Sequence, residues 1–336
     1  MALKWIEGFE IGRMRTELED KYDVYYGPAN TGYTGRLAGN AGYPTYLTTP
    51  SLGSTSTWIV GFGFKRTSSA THQYFDIYLG ASRQLTIKFH SNGIGTDYNI
   101  KVLRGATELA TGSTSLAFNT WYYIEFKVVI DPSAGAFEVR VNEAQDSYDT
   151  GVNTAESGSA NADVFHLRNP WNAYIDDWYI CNNSGATCND FLGDCQIEGI
   201  FPNGAGDRTE WDPSAGSNYA CVDDPQSAYN TGDYVYDDTA GQGDLYEFGD
   251  PGAISGEIKG IAIINFAALS AAGSRVVRNI YKTDGGGTEY DLSGNFAVAS
   301  TDPAGFVMIQ EQNPDTSDAW TESELQNGQF GVEVVS

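Results

Sequence analysis

Apolar and polar residues alternate along two neighbouring stretches of the chain, 121–130 and 137–142, separated by the loop Asp131-Pro-Ser-Ala-Gly135. In the first stretch the alternating apolar residues are Tyr122, Ile124, Phe126, Val128 and Ile130. A period of two places every second side chain on the same face of a strand, and proline and glycine supply the backbone angles that a reversal requires. This region is therefore predicted to form a β-hairpin with one buried face.

The same alternation recurs through most of the chain, between turns rich in Gly, Ser, Asn and Pro. In 73–79 and 84–90 the predicted buried face is made of Phe75, Ile77, Leu79, Leu85, Ile87 and Phe89. The opposite face of the same two strands carries Tyr74, Asp76, Tyr78, Thr86, Lys88 and His90. Since no segment has the period of a long amphipathic helix, we predict an all-β protein of stacked antiparallel sheets, a sandwich or jelly roll.

The length of 336 residues is enough for two domains with full cores. The alternation loosens between 182 and 240 and then resumes. We therefore predict a β-sandwich over 1–181, a loop-rich connector over 182–240 and a smaller β domain over 241–336. The last domain contains the one predicted helix, Ala319–Asn327, because Thr321 and Glu324 have the spacing of a capping box and Gly328 follows.

The net charge of the chain argues against one class of partner, nucleic acids. Lys and Arg total 19 against 44 Asp and Glu, a formal net charge of −25, so a nucleic acid is not expected as a partner. The acidity favours solubility at high concentration. The N-terminus lacks the apolar run of a secretory signal, and no 18-residue apolar stretch occurs, which predicts synthesis in a cytoplasm and no membrane anchor.

Cysteines and acidic residues give little indication of a cofactor. The spacing of the four cysteines matches no paired zinc-ligand pattern, so we interpret them as buried thiols: Cys181, Cys188, Cys195 and Cys221. A disulfide between Cys181 and Cys188, or between Cys195 and Cys221, stays an alternative in an oxidising medium. No cofactor is predicted. The Asp residues that would serve if Ca²⁺ were bound are Asp131, Asp176 and Asp177.

The sequence also lacks the residue patterns of hydrolytic catalysis. A retaining glucanase would place its carboxylates as Glu-x-Asp-x-x-Glu along one strand, and this run does not occur. His72, His90 and His166 lie on separate predicted elements without a Ser or Cys motif, so no catalytic triad is predicted. We therefore expect a non-enzymatic protein and keep a polysaccharide depolymerase only as a third hypothesis.

The first 180 residues resemble the concanavalin A-like lectin/glucanase fold in its laminin-G-like form. The resemblance is carried by Asn119-Thr-Trp-Tyr-Tyr-Ile-Glu-Phe-Lys-Val and the following Phe137-Glu-Val-Arg-Val-Asn, with Glu143 where a turn glycine is usual. It implies a jelly-roll sandwich. It also implies that Trp5-Ile-Glu-Gly-Phe-Glu-Ile forms an early strand beside the late strand Tyr174-Ile-Asp-Asp-Trp-Tyr-Ile.

Several later segments resemble structural proteins of tailed bacteriophages. They are Tyr174-Ile-Asp-Asp-Trp-Tyr-Ile, Phe191-Leu-Gly-Asp, Pro202-Asn-Gly-Ala-Gly-Asp, Thr209-Glu-Trp-Asp-Pro-Ser-Ala-Gly-Ser-Asn-Tyr and the stretch from Ala319 to Val332. The resemblance implies a virion component assembled in the bacterial cytoplasm, either a capsid decoration or a head or tail accessory protein. Its expected partners are major capsid or tail proteins and sister copies in a homo-oligomer.

A glycan-binding adhesin or tail-fibre role is the alternative, because lectins of this fold stack aromatic rings on sugars and hold hydroxyl groups with Asp or Asn. The candidate residues for glycan binding are Tyr25, Tyr26, Tyr33, Tyr43, Tyr46, Trp171 and Asn172. The same tyrosines would also suit a protein interface, since Tyr and Trp are enriched there. The sequence leaves these two interpretations open.

Overall fold

The computed structural model describes residues 1–8, 24–25, 37–38, 46–66, 73–91, 98–168, 173–224, 232–252, 254–283 and 287–336. The chain divides into two compact units, Met1–Ile197 and Glu198–Ser336. Both units are built almost wholly of antiparallel strands, which confirms the predicted all-β class. No helix in the described ranges is long and apolar enough to cross a membrane.

The strands of unit 1 are short at its beginning and longer thereafter. In chain order they are β1 (Leu3–Glu7), β2 (Val24–Tyr25), β3 (Leu37–Ala38), β4 (Tyr46–Thr48), β5 (Thr57–Arg66), β6 (Gln73–Leu79), β7 (Ser82–Ser91), β8 (Tyr98–Arg104), β9 (Thr107–Thr111), β10 (Trp121–Val129), β11 (Gly135–Val141), β12 (Ala144–Val152), β13 (Val164–Arg168) and β14 (Ala173–Asn182).

These strands form two antiparallel sheets. The first has the order β1-β14-β5-β10-β11-β12, with β3 also paired to β14, and the second has the order β2-β4-β13-β6-β7-β8-β9. Strand β1 pairs with β14, so the expected neighbourhood of an early and a late strand is confirmed. The predicted hairpin is confirmed as well, with Ile124 opposite Val141 and Val129 opposite Ala136.

The inner faces of the two sheets bury the apolar residues that the alternation singled out. Phe75 of β6 lies 5.6 Å from Phe62 of β5 and 5.0 Å from Phe126 of β10, measured between ring centroids, so aromatic contacts join the sheets. Trp58 is fully buried, and its indole Nε1–H donates to the carbonyl oxygens of Thr55 and Ala162. The core of unit 1 is thus a two-layer sandwich, as the period of two predicted.

The turns of unit 1 follow local side-chain chemistry. The Asp131 carboxylate accepts the backbone N–H groups of Ser133 and Ala134, which closes the β10–β11 loop. Asn142 and Glu143, between β11 and β12, both have positive φ, 48° and 66°. A two-residue hairpin turn requires this geometry, and it explains why glycine is usual where this chain has Glu143.

Unit 2 has its own sheet and two short ribbons. Its strands are β15 (Pro202–Thr209), β16 (Asp212–Pro213), β17 (Val235–Tyr236), β18 (Gly243–Phe248), β19 (Ile261–Ala267), β20 (Arg275–Lys282), β21 (Glu289–Val298), β22 (Ala304–Gln310) and β23 (Gln329–Val334). The sheet order is β15-β18-β23-β20-β21, while β16 pairs with β17 and β19 with β22. The segment predicted as a connector, 182–240, therefore supplies an edge strand, β15, to this sheet.

The helix α1 (Glu322–Asn327) is the α-helix of the described chain and confirms the predicted short helix. Thr321 caps it by accepting the N–H of Glu324, the Glu324 side chain accepts the N–H of Thr321 in return, and the N–H of Gly328 bonds to the Glu324 carbonyl. The helix begins three residues later than predicted. Ala319 forms a β-bridge with Gln312, and the Trp320 ring packs 5.0 Å from Tyr281 in the core of unit 2.

Ion pairs connect the strands on one face of the unit 2 sheet. Arg208 donates to Glu210, Glu289 and Glu333, and Arg278 donates to Glu333 at 2.5 Å. Glu333 is buried between these two guanidinium groups. This network joins β15, β20, β21 and β23 by side chains as well as by backbone pairing.

Candidate functional site

The outer face of the second sheet of unit 1 concentrates polar and charged side chains. Strand register sets His166 beside Asp76 and Asp76 beside Thr86, and it sets Lys88 beside Lys101. Paired residues of neighbouring strands lie on the same face of a sheet. Residues that are far apart in the sequence therefore meet on one surface.

Asp76 is the buried anchor of this surface. Its side chain has no solvent exposure; it accepts a hydrogen bond from the Thr86 hydroxyl at 2.5 Å and forms an ion pair with Arg168. The side chain of Arg168 remains about one-third exposed, at 34%. A charge-assisted bond to a buried carboxylate fixes the position of the Arg168 cation while leaving part of it open to solvent.

His166 and Tyr78 form a flat aromatic pair next to this anchor. Their rings lie 4.1 Å apart between centroids with an interplanar angle of 22°. Burial lowers the pKa of His166, outweighing the nearby Asp76, and burial together with the Asp76 charge raises the pKa of Tyr78. Both rings are therefore neutral at pH 7, which makes them a π-surface and not a charged pair.

Three cations follow one line across the strands. Arg168 of β13 is opposite Tyr74, Tyr74 is opposite Lys88, and Lys88 is opposite Lys101, so the line spans roughly 14 Å at the usual strand spacing. Lys101 also forms an ion pair with Glu108 at 2.6 Å. The pKa of His90 is lowered by burial and then by the charges of Lys88 and Lys101, as expected in a positive local field.

The sign of the charge distinguishes this surface from the rest of the chain. The seven strands of the second sheet carry five cations and two carboxylates, a net charge of +3, within a chain of −25. These residues are Arg83, Lys88, Lys101, Arg104 and Arg168 against Asp76 and Glu108. We name the outward group Arg83, Lys88, Lys101 and Arg168 the basic face; Arg83 is paired with Glu156, which lies outside these strands. Such a face attracts anionic groups, which the chain as a whole repels.

The outer face of the first sheet is different, because residues 188–197, the covering segment, pack against it. Glu125 of β10 is 1% exposed beneath this segment. Its Oε1 accepts the Tyr179 hydroxyl at 2.5 Å and the N–H of Gly193 at 3.0 Å, while the N–H of Leu192 donates to the Tyr179 hydroxyl oxygen. The carboxylate and the phenol thus hold the segment on the sheet.

Burial shifts the pKa values of Glu125, Tyr179 and Tyr123, which we name the covered cluster. Burial raises the pKa of Glu125 even though its hydrogen bonds to Tyr179 and Gly193 oppose the shift. Burial also raises the pKa of Tyr179 and Tyr123 well above their ordinary values. The second carboxylate oxygen of Glu125 is enclosed without a protein hydrogen bond. A perturbed acid next to a phenol is the kind of chemistry that catalysis uses, but this pair is enclosed.

Small residues of β5 make room for the covered cluster. A Cβ atom at Gly61 would lie 2.7 Å from Cζ and 2.9 Å from the hydroxyl oxygen of Tyr179. At Gly63, two residues further along the same strand, the nearest atom would lie 3.4 Å away. Gly61 therefore allows the Tyr179 ring to lie flat on β5 and reach Glu125.

The three Asp residues suggested for Ca²⁺ do not come together. Asp131 is in the β10–β11 loop, whereas Asp176 is opposite Gly63, about 20 Å further along β5 by strand geometry. Asp177 is buried with φ of 51°, and its carboxylate accepts the N–H of Ile197. Across the described ranges, no three His, Cys, Asp or Glu side chains form a group that could hold a metal ion.

Two of the aromatic residues predicted for glycan binding lie in strands of the second sheet. Tyr46 of β4 is opposite Arg168, at the end of the line of cations, and Tyr25 of β2 is opposite Leu47. The others, Tyr26, Tyr33, Tyr43, Trp171 and Asn172, lie outside the described residues. None of the four cysteines is joined in a disulfide; Cys181, Cys188 and Cys221 are buried.

Sequence reasoning missed the basic face as a unit. The alternation did place Asp76, Tyr78 and Lys88 opposite the core, but it treated His166 as an isolated histidine and gave no role to Arg168 or Lys101. The signal that was available is the count of five cations among strands of an acidic chain. To predict that these cations lie in one line, one must know the strand order, in which β13 lies between β4 and β6.

No family model matches the chain, and no curated protein matches its sequence. Solved structures with partial likeness include a β-1,4-glucuronan lyase from Trichoderma reesei, 12% identical, covering 46% of this chain and 78% of that one with a TM-score of 0.32. A pentraxin from Limulus polyphemus is also 12% identical; the match covers 41% of this chain and 69% of the pentraxin, with a TM-score of 0.32. Galectin LEC-6 from Caenorhabditis elegans is 9% identical; the match covers 46% of this chain and 100% of the galectin, with a TM-score of 0.28. These likenesses are too low to carry a function to this chain.

Proposed function

We propose that this chain is a non-enzymatic structural component of a tailed-phage virion, either a capsid decoration or a head or tail accessory protein. The proposal comes from the phage-like segments of the sequence. The observation that carries its non-enzymatic part is the position of Glu125 and Tyr179. Both groups have raised pKa values, and both are enclosed under the covering segment, where they hold it in place; a catalytic pair must reach its substrate.

In this proposal the protein works by contact. Two β units with separate cores present rigid strand surfaces to capsid or tail proteins and to sister copies. Buried area and shape then stabilise the particle, as in other symmetric assemblies. The acidic surface keeps unassembled copies apart in the host cytoplasm.

Mass spectrometry of purified particles tests this function. Virions of the phage that encodes the chain are purified on a density gradient, and peptides of the chain are quantified against those of the major capsid protein. We expect a fixed ratio that survives a high-salt wash. A chain abundant in the lysate but absent from washed particles would contradict the proposal.

The second candidate is glycan recognition, and the basic face is the observation that favours it. Arg168, Lys88 and Lys101 lie along one line, beside the flat pair of His166 and Tyr78. Cations pair with carboxylates of acidic sugars, and ring faces stack on pyranoses. In this alternative the chain is an adhesin that binds acidic surface polysaccharides of the host.

A glycan array with the full chain tests this alternative. We expect binding to polymers that contain uronate, loss of that binding in Lys88→Glu/Lys101→Glu, and retention in Lys127→Glu, a control on the other sheet. Lys127 is similarly exposed at 32%, against 22% for Lys101. Equal binding to neutral polymers, or full retention in the double variant, would exclude the basic face as the site.

A further inference from the structure

Two tyrosines protrude together from the β16–β17 ribbon of unit 2. Tyr234 and Tyr236 are 54% and 52% exposed, and their ring centroids lie 6.0 Å apart with an interplanar angle of 57°. Val235 between them faces inward. Large aromatic side chains exposed to this extent lose the benefit of burial, so a pair of them at one place indicates a contact surface.

The ribbon holds both rings in place. The N–H of Ser214 donates to the Tyr234 carbonyl at 2.8 Å, and the N–H of Tyr234 donates to the Ser214 hydroxyl at 2.8 Å. Asp212 is opposite Tyr236, and both are exposed. The outward face of the ribbon therefore presents Asp212, Ser214, Tyr234 and Tyr236, which we name the tyrosine platform.

The segment of chain that carries the platform is strongly acidic. Residues 209–258 contain eleven Asp or Glu and no Lys or Arg. Three of these acids are paired with cations that lie outside this range in unit 2: Glu210 with Arg208, Asp238 with Arg275 and Glu257 with Lys259. Eleven acids against these three cations leave the segment negative, so it repels anionic ligands and attracts cationic ones.

We propose that the tyrosine platform binds Lys or Arg side chains on a basic segment of a partner protein. The face of an aromatic ring attracts a cation, and the Asp212 carboxylate offers a charge-assisted hydrogen bond beside it. The two residue pairs of the ribbon, together with Ser214 and Tyr234, cover only about 100 Å², far below the roughly 800 Å² per partner of a stable globular interface. A peptide segment fits this footprint, whereas a second folded copy does not. The inference is independent of the virion proposal.

Peptide binding to the full chain tests the platform. The probes are fluorescein-labelled peptides of four Gly-Arg repeats and of four Gly-Gln repeats, titrated by fluorescence anisotropy in about 150 mM salt to screen long-range attraction. We expect the Arg peptide to bind and the Gln peptide not to bind. Replacing both rings, Tyr234→Ala/Tyr236→Ala, should weaken binding about tenfold, and Phe at both positions should keep it within about twofold.

Tyr148 supplies the matched control, because it is 54% exposed but belongs to unit 1. Tyr148→Ala should bind the Arg peptide as the unchanged chain does. Circular dichroism spectra of all variants verify that they fold. If the double Ala variant binds as tightly as Tyr148→Ala, overall acidity accounts for the attraction and the platform is not the site.

Two further outcomes would overturn the proposal in different ways. Equal binding of the Gln peptide would show that the platform selects no cation. Sedimentation that reveals a dimer, lost on Tyr234→Ala/Tyr236→Ala, would make a second copy the occupant. The virion proposal is tested separately by the protein content of particles, so either proposal can fail while the other stands.

Discussion

The two outer faces of the unit 1 sandwich each bury a carboxylate, and they stabilise it in different ways. Asp76, on the second sheet, has a cation partner in Arg168 and a hydroxyl donor in Thr86. Glu125, on the first sheet, has neutral donors, the Tyr179 hydroxyl and the N–H of Gly193. The inner faces of both sheets are apolar, so the difference lies wholly in what covers the outside.

The partner of each buried carboxylate decides whether the surface above it stays exposed or is covered. The ion pair at Asp76 places a partly exposed guanidinium on a solvent-facing surface, where it can meet a ligand. The neutral bonds at Glu125 instead hold the covering segment and close the surface. Burial favours the protonated form of Glu125 and outweighs the opposing charge of Arg140, which lies opposite it on β11, and this accounts for the raised pKa of Glu125.

The largest expected effect comes from filling the space under Tyr179. Gly61→Ala places a methyl group where the ring lies, so the ring must leave Glu125, and we expect a loss of about 3 kcal/mol in the free energy of unfolding. Gly63→Ala on the same strand meets only ordinary contacts and should cost less than about 1 kcal/mol. Urea unfolding measures both. Equal losses would mean that strand propensity, and not the covered cluster, decides the cost.

Neutralising the two carboxylates in turn sharpens the comparison. Asp76→Asn removes the charge that Arg168 and Thr86 are arranged around and should cost about 2 kcal/mol near pH 7. Glu125→Gln keeps an oxygen for Tyr179 and Gly193 while removing a buried charge, so it should change stability by less than about 1 kcal/mol. Thermal and urea unfolding of both variants check this. A larger loss for Glu125→Gln would reverse the assignment of roles.

The pH dependence of stability provides the next test. The pKa of Glu125 is raised in the folded state, so its favourable contribution is complete below the unfolded value of about 4.3 and declines as pH rises through the folded pKa. Unfolding measured from about pH 4 to pH 8 should therefore show the unchanged chain losing stability relative to Glu125→Gln. The pKa of exposed Glu108 is lowered by Lys101, so Glu108→Gln should shift the curve in the opposite direction. Parallel curves for Glu125→Gln and the unchanged chain would refute the burial effect.

The smallest effect on stability is expected at the exposed ion pair between Lys127 and Asp190 of the covering segment. Lys127 pairs with Asp190 at 3.0 Å, but the two side chains are 32% and 66% exposed. Lys127→Ala should cost less than about 0.5 kcal/mol, because exposed ion pairs are weak. A measured loss comparable to that of Gly61→Ala would mean that this ion pair, and not Glu125 and Tyr179, holds the segment.

Local patterns in the sequence were sufficient where the physics is local. Alternation predicted the β10–β11 hairpin and the inner face of β6 and β7 because a strand has a fixed period. The capping box predicted α1 because the side chains of Thr321 and Glu324 accept each other's backbone N–H within the same turn. The helix start was wrong by three residues, since Trp320 gains more from the core of unit 2 than from a further helical turn.

The candidate sites depended on contacts between distant parts of the chain. Lys88 and Lys101 lie in line with Arg168 because β13 pairs with β6 in the sheet. Glu125 is buried where residues 188–197 return over β10. The sequence by itself determined which residues face a core, since side-chain direction along a strand follows from backbone geometry. The tertiary structure alone decided which outer face is covered and which is open, because strand order and the path of the covering segment depend on the balance of many long-range contacts.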